Sequence, residues 1–97
     1  MTFILTKQAD EDLTDIYLYG YESFGELQAE KYFYELEDCF NLISESPLMA
    51  QEFTEFIPAV RIHHHKSHLI VYLVQNEEVL IIRVLHESMK LSKHLQQ

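Results

Sequence analysis

Cysteine, long apolar runs and basic side chains are all scarce in this sequence of 97 residues. The one cysteine, Cys39, excludes an internal disulfide and is typical of a protein in a reducing compartment. No run approaches the roughly 18 apolar residues that a membrane-spanning helix needs, and residues 1–5 do not resemble a secretory leader. Since 47% of the residues are apolar, a packed core is expected. The sequence therefore predicts a single cytoplasmic domain over residues 1–97, with no membrane as partner.

The scarcity of bases is concentrated in the first part of the chain. The formal net charge of −9 argues against a protein that grips nucleic acid, so no sequence-specific nucleic-acid binding is expected. Residues 1–60 hold thirteen of the sixteen acids and two of the seven bases, whereas residues 61–97 hold the other five bases and all six histidines. Either the acids only solvate two helices, or the charge split serves a function. In both interpretations the basic face belongs to the C-terminal third.

The strongest structural signal is a pair of apolar runs at residues 69–74 and 79–85, separated by four polar residues. This spacing predicts a β-hairpin with residues 75–78 as its turn. Because the runs are nearly continuous and do not alternate with polar residues, both faces of these strands should be covered, which places them at the centre of a sheet. Residues 60–63 alternate and predict one further strand before the hairpin.

Two helices are predicted upstream of these strands. Residues 3–5 form a short first strand, and Thr6 suits the N-cap of a helix over residues 7–21. A second apolar stripe runs from Ala29 to residue 43, after a break that contains Gly25. So short a connection requires the helices to pack antiparallel. With an irregular connector at 48–57 and a short C-terminal helix, the predicted class is α+β: an N-terminal strand, then a helical hairpin on one face of a small, largely antiparallel sheet.

The histidine triplet at 63–65 raises the question of a metal site. His63 and His65 would project from one face of an extended strand. Zinc would still need two further ligands, and no cysteine pair or helical histidine pair supplies them. Neither a metal nor another cofactor is therefore predicted.

The arginines and histidines are also suited to a ribonuclease. The residues that could supply cations and a proton-transfer group near neutral pH, if the neighbouring strands bring them onto one face, are Arg61, His65, His68, Arg83 and His86. By a period of two, Arg83 should share a strand face with Ile81 and Leu85. An Arg83 that pairs with a helix carboxylate, holding the helices to the sheet, explains this residue equally well.

The element order and a set of scattered residues resemble the RelE/ParE toxins of bacterial toxin-antitoxin pairs. In the first half of the chain these residues are Ala9, Asp12, Leu13, Ile16, Tyr17, Gly25, Ala29, Tyr32, Leu42 and Pro47. The stretches 67–72 and 82–89, with Val60-Arg61 before them and His94-Leu95 after them, resemble the ParE branch in particular. The most specific part is Arg-x-Leu-His-x-x-Met at 83–89. Lys90 departs from the pattern, because an acid commonly follows the methionine, so no role for an acid is implied there.

The resemblance implies a toxin that is not an enzyme, poisons DNA gyrase and is neutralised by a ParD-like antitoxin. The predicted target-binding residues are Arg61, His68, Arg83, His86, Met89, Lys90 and Lys93. The aromatic residues expected to be exposed, Tyr19, Phe24 and Tyr34, are the predicted antitoxin contacts. Two alternatives stay open: a RelE-type ribosome-dependent ribonuclease that uses Arg61, Arg83 and His86, and an inactive homologue that only binds its antitoxin. The charge of the antitoxin segment also stays open, since the acidic helices favour a basic partner and the C-terminal face an acidic one.

Overall fold

A computed structural model describes residues 1–95 and confirms the α+β class. The elements in chain order are β1 (Thr2–Leu5), α1 (Lys7–Phe24), α2 (Glu26–Glu45), β2 (Glu52–Phe53), β3 (Val60–His65), β4 (His68–Gln75), β5 (Glu78–His86) and α3 (Leu91–His94). The strands form one sheet in the order β1-β5-β4-β3-β2. Only the β1–β5 pair is parallel within this sheet, so the prediction of a largely antiparallel sheet is confirmed. The short strand β2 lies in the segment predicted to be irregular.

The helical hairpin follows from its two ends and its turn. Thr6 caps α1, because its hydroxyl oxygen accepts a hydrogen bond from the Ala9 amide at 3.1 Å. Gly25 alone separates the helices and adopts a φ of 93°, which a side chain would disfavour. Helix α1 ends at Phe24, three residues beyond the end at residue 21 that the sequence predicts. Near the turn Gly20 lies against Ala29, where an added Cβ would be 3.5 Å from the alanine Cβ.

The β4–β5 hairpin has a tighter turn than the four polar residues suggest. Gln75 and Glu78 pair with each other in the sheet, so only Asn76 and Glu77 form the turn. Both have positive φ, 54° and 59°. A two-residue turn of this kind matches the twist of the flanking strands.

Apolar side chains cover both faces of the central strands, as the continuous runs predict. Between the helices and the sheet, one cluster includes Leu36, Phe40 and Tyr72. On the opposite face a second cluster forms around Val71 and Leu95, under the segment after β2 and helix α3. Burial of these groups supplies the main driving force for the fold.

A β-bulge in β5 changes the face of the residues that follow it. Val71 pairs with Arg83 and Tyr72 with Ile81, so Ile82 is the extra residue. As a result, Ile81 lies in the cluster under the helices and Leu85 in the cluster on the other face. The prediction that Arg83 shares a face with both residues is therefore wrong, because the bulge interrupts the period of two.

Candidate functional site

Three histidines from three strands form a row at one end of the sheet. The tight turn after β3, with Lys66 at a φ of 52°, brings His65 opposite His68, and His68 pairs with His86. The His68 and His86 rings meet edge to face, with centroids 5.5 Å apart. Only the strand register places these residues together, since His86 is far from the other two in the sequence.

Helix α2 contributes a tyrosine to this row. The Tyr32 hydroxyl lies 2.6 Å from His68 Nδ1, and the two rings are 5.4 Å apart. Burial, followed by the nearby His86 and His65, lowers the pKa of His68 to about 4. His68 is therefore neutral at neutral pH, and its Nδ1 can accept a hydrogen bond from the Tyr32 hydroxyl group. Burial also raises the pKa of Tyr32, which keeps the phenol protonated as the donor.

A carboxylate from the next turn of α2 fixes the β3–β4 connection. Glu35 Oε1 lies 2.8 Å from Lys66 Nζ and 3.1 Å from His65 Nε2. These hydrogen bonds, that of Lys66 first, hold the pKa of Glu35 below its usual value. The Glu35 carboxylate in turn raises the pKa of Lys66. Lys66 and His65 are thus bound to α2, which holds the helix against the end of the sheet.

The row opens into a groove of about 580 Å³ between the helical hairpin and the sheet, which we call the histidine groove. Its lining includes Tyr19, Phe24, Tyr32, His68, His86 and Met89. The Tyr19 and Phe24 rings meet edge to face and are each 67% exposed. Two predicted antitoxin contacts and three predicted target contacts therefore share one groove.

Arg83 has a structural partner. Its Nε and Nη2 donate to the two carboxylate oxygens of Asp12 at 2.9 and 3.0 Å, and the Val84 amide donates to the same carboxylate at 2.9 Å. Strand β1 pairs with β5 only as far as Ile81, so the Asp12 carboxylate supplies the hydrogen-bond acceptor that the Val84 amide would otherwise lack. The same carboxylate raises the pKa of Arg83. The interpretation of Arg83 as the partner of a helix carboxylate is confirmed.

Arg61 lies elsewhere and is also engaged. Its Nη1 donates to the Ala50 carbonyl oxygen at 2.6 Å. Arg61 pairs with Tyr72, whereas His86 pairs with His68, four residues away along β4. At about 3.3 Å per residue the two rows are about 13 Å apart. The structure does not bring Arg61, Arg83 and His86 into one constellation.

The remaining predicted contacts lie on two other surfaces. Lys90 and Lys93 line a groove of about 660 Å³ with Glu55, Phe56 and Ile57, under the second apolar cluster. Tyr34 lines a groove of about 620 Å³ between α1, α2 and β1, on the side of the hairpin away from the histidines.

The structure also bears on metal binding and on membranes. Among residues 1–95, no group of three or more histidine, cysteine, aspartate or glutamate side chains is arranged to hold a metal ion. Burial lowers the pKa of His63, the first residue of the histidine triplet.

No helix within residues 1–95 is long and apolar enough to cross a membrane.

The sequence does not identify Tyr32, Glu35 and Asp12 as partners of the charged and polar groups. Tyr32 lies on the apolar stripe of α2, where its ring alone accounts for the position. Asp12 is one of four acids within residues 10–15, so its charge gave no distinctive signal. These contacts join residues that are 36 and 71 positions apart, and only the folded chain reveals them.

Comparison with known proteins gives one consistent family. The family described as "ParE toxin of type II toxin-antitoxin system, parDE" matches residues 3–91. Toxin ParE1 of Caulobacter vibrioides is 37% identical over 91 residues, which cover 94% of each chain. Toxin ParE of Escherichia coli is 29% identical over 94 residues, covering 96% of this chain and 91% of the relative. A solved structure titled "Chromosomal ParDE TA system from P. aeruginosa" matches with a TM-score of 0.77 and 19% identity, over 89% of this chain and 95% of the other.

Proposed function

The chain belongs to the ParE toxin family of type II toxin-antitoxin systems, and we propose that it poisons DNA gyrase in the cytoplasm until a ParD-like antitoxin neutralises it. In this proposal residues 1–97 act as one toxin domain. The toxin binds gyrase and stabilises the cleaved gyrase–DNA intermediate, without catalysing a reaction of its own.

The engagement of both arginines supports binding over catalysis. A ribonuclease would need cations that converge on the phosphate during the reaction. Arg83 is instead held by the Asp12 carboxylate and Arg61 by a backbone carbonyl, about 13 Å from the row of His86. This separation is the single observation that carries the non-enzymatic proposal.

The C-terminal segment is the proposed target contact. Met89, Lys90 and Lys93 are exposed directly after the central strand β5, and no ion pair engages either lysine within residues 1–95. They can meet acidic or phosphate groups of a gyrase–DNA complex without first breaking any of the ion pairs within residues 1–95. His68 and His86 lie beside Met89 in the histidine groove and extend the same proposed contact. For Arg61 and Arg83 a positioning role is the more consistent one.

The antitoxin is proposed to contact the helical hairpin. Tyr19 and Phe24 offer exposed rings on the histidine groove, and Tyr34 does so on the opposite side of the hairpin. Exposed aromatic groups beside a groove are typical anchor points for a partner. An antitoxin that reaches all three residues has to clasp the hairpin from both sides.

A gyrase cleavage assay tests the proposal. Purified toxin, gyrase, ATP and plasmid are stopped with detergent and protease, and linear DNA is scored against a reaction without toxin. Dose-dependent linear DNA is expected, together with its suppression by the antitoxin. Linear DNA that is absent while antitoxin binding persists would favour the inactive homologue, and mRNA cleavage in a translating extract would favour the ribonuclease.

Point variants localise the target contact better than a truncation. Deleting the last eight residues would remove Leu95, which is 6% exposed in the second apolar cluster, so the sheet would lose part of its cover. The double variant Lys90→Glu and Lys93→Glu reverses the same charges at exposed positions. Its matched control is Lys7→Glu and Lys31→Glu, two exposed lysines of the helices. Loss of linear DNA only in the first pair is expected, and equal activity in both pairs would refute this contact.

A further inference from the structure

The groove beside Tyr34 differs from the histidine groove in its charge. It is lined by side chains of α1, α2 and β1 and has an apolar floor that includes Leu13, Tyr17 and Phe33. Three carboxylates, Asp10, Glu30 and Glu37, also line it, and we call it the acidic groove. No lysine, arginine or histidine is part of its lining, although the helices that form it carry Lys7 and Lys31.

None of the three carboxylates of the acidic groove takes part in an ion pair within residues 1–95. The ion pairs among residues 1–95 engage Asp12, Glu35 and Glu87 and none of the three. Tyr17 also lines the groove, and burial, followed by the carboxylates of Glu30 and Glu26, raises its pKa. A cation that enters the groove therefore meets these carboxylates beside apolar surface.

These properties select the chemistry of an occupant. Burial of apolar side chains against the apolar floor is favourable, and a cation close to the unpaired carboxylates can form charge-assisted hydrogen bonds with them. An acidic segment would be repelled, and a neutral one would leave the carboxylates partly desolvated without a partner. A small cation alone would not cover the floor. A peptide segment that carries both apolar and basic side chains satisfies both requirements.

We infer that the acidic groove binds a segment of the antitoxin in which lysine or arginine alternates with apolar residues. The inference rests on the proposed neutralisation by a ParD-like antitoxin and adds the charge of the binding segment. The basic side chains pair with Asp10, Glu30 and Glu37, while the apolar ones cover Tyr34 and the floor. The C-terminal basic face of the toxin is left to the target.

The affinity of the toxin for the ParD-like protein encoded beside it tests the inference. The triple variant Asp10→Asn, Glu30→Gln, Glu37→Gln removes the charge of the groove. Since an exposed ion pair changes an equilibrium by up to a few-fold, we expect the dissociation constant to rise at least about tenfold at low ionic strength. The difference should shrink at about 1 M salt, where the Debye length is about 3 Å.

A second triple variant is the matched control. Glu22→Gln, Asp38→Asn and Glu45→Gln change the net charge equally at exposed helix positions outside both hairpin grooves. We expect less than about a twofold change there. Equal weakening in both triples would overturn the inference in favour of a general field effect, and no weakening in either would overturn it outright.

Two further measurements distinguish a failure of the inference about the acidic groove from a failure of the proposed function. Because Asp10 lies in the first turn of α1, the double variant Glu30→Gln and Glu37→Gln repeats the test with the helix start intact. The gyrase assay without antitoxin reports on the proposed function, and it should be unchanged in all these variants. If the antitoxin binds both triple variants as tightly as the wild type, the inference about the acidic groove is refuted while the proposed neutralisation stands. A wild-type toxin that fails to bind the antitoxin sinks the proposed neutralisation and the inference with it.

Discussion

Replacing Asp12 with alanine tests how α1 is held to the sheet. The Asp12 carboxylate accepts three hydrogen bonds, two from the Arg83 guanidinium and one from the Val84 amide. The side chains of Asp12 and Arg83 are only 13% and 18% exposed. The alanine variant therefore leaves a largely buried guanidinium and a strand amide without their acceptor.

The expected loss of stability follows from these contacts. Breaking a buried ion pair by removing one partner costs about 3–5 kcal/mol, much of it from the charge left behind. Because part of the guanidinium still reaches water, we expect the lower end, about 3 kcal/mol, including about 1 kcal/mol for the Val84 amide. Asp12→Asn keeps an oxygen acceptor but loses the charge, and we expect about half of the cost.

Urea unfolding of the purified toxin measures the effect through its midpoint and slope. Asp15→Ala is the matched control, an exposed aspartate on the same helix with no ion pair within residues 1–95, and it should stay within about 0.5 kcal/mol of the wild type. Combining Asp12→Ala with Arg83→Met should cost less than the sum of the single changes by about 1–3 kcal/mol. A cost for Asp12→Ala that matches the control, or strict additivity, would refute the edge-pairing argument.

Three further variants probe the turn, the histidine row and the second apolar cluster. Glu77→Gly should raise stability by about 0.5–1 kcal/mol, and the melting temperature by a few degrees, because glycine adopts the positive φ beside Asn76 without strain; an unchanged or lower melting temperature would contradict this. The pKa of His68 is about 4 in the folded protein against about 6.5 in the unfolded chain, so the unfolded chain binds the proton first as the pH falls. Stability should therefore be lost between about pH 6.5 and 4, by up to about 2 kcal/mol after allowance for partial exposure. His68→Gln should flatten that decline in urea midpoints measured across this range, and parallel curves would argue against His68 as the cause. Leu95→Ala should cost about 2–3 kcal/mol in urea unfolding, because the side chain is buried against the sheet, and a negligible cost would show that the C-terminal segment does not cover the second cluster.

The fold was largely predictable because its main signals are local. Two apolar runs with polar residues between them define the β4–β5 hairpin, and helical spacing with Gly25 defines the helix pair. The turn itself was predicted two residues too long, because Gln75 and Glu78 are polar although they pair in the sheet. Polarity marks exposure at the end of a strand as well as a turn, and the sequence does not separate the two.

The orientation of Arg83 was not predictable for a related reason. Alternation reveals a strand face only where apolar and polar residues alternate, and residues 79–85 are apolar except for Arg83 itself. A one-residue bulge in such a run leaves no trace in its composition. The extra residue, Ile82, therefore reverses the face assignment from that point onward, and Ile81 and Leu85 lie on opposite sides of the sheet.

The sequence names His65, His68 and His86 as a group only on the condition that the strands pair suitably, because register, and not spacing, assembles their row. The sequence draws attention to the adjacent triplet at 63–65, yet only His65 of that triplet joins His68 and His86 in the row. Tyr32 completes the site from a helix predicted on grounds of apolar periodicity alone. A single-residue shift in either strand pair would have dispersed the row, and no local pattern constrains the pairing that finely.

The position of the predicted contacts has a consequence for neutralisation. Tyr19 and Phe24 line the same groove as His68, His86 and Met89, so an antitoxin segment that covers the first two also covers part of the proposed target contact. Inhibition then requires only occupation of the groove, and the toxin need not change its conformation. The acidic groove lies on the other side of the hairpin, away from these residues. A basic segment bound there would add affinity for the antitoxin without itself covering the proposed target contact. Binding in the histidine groove would then inhibit the toxin, and binding in the acidic groove would strengthen the complex.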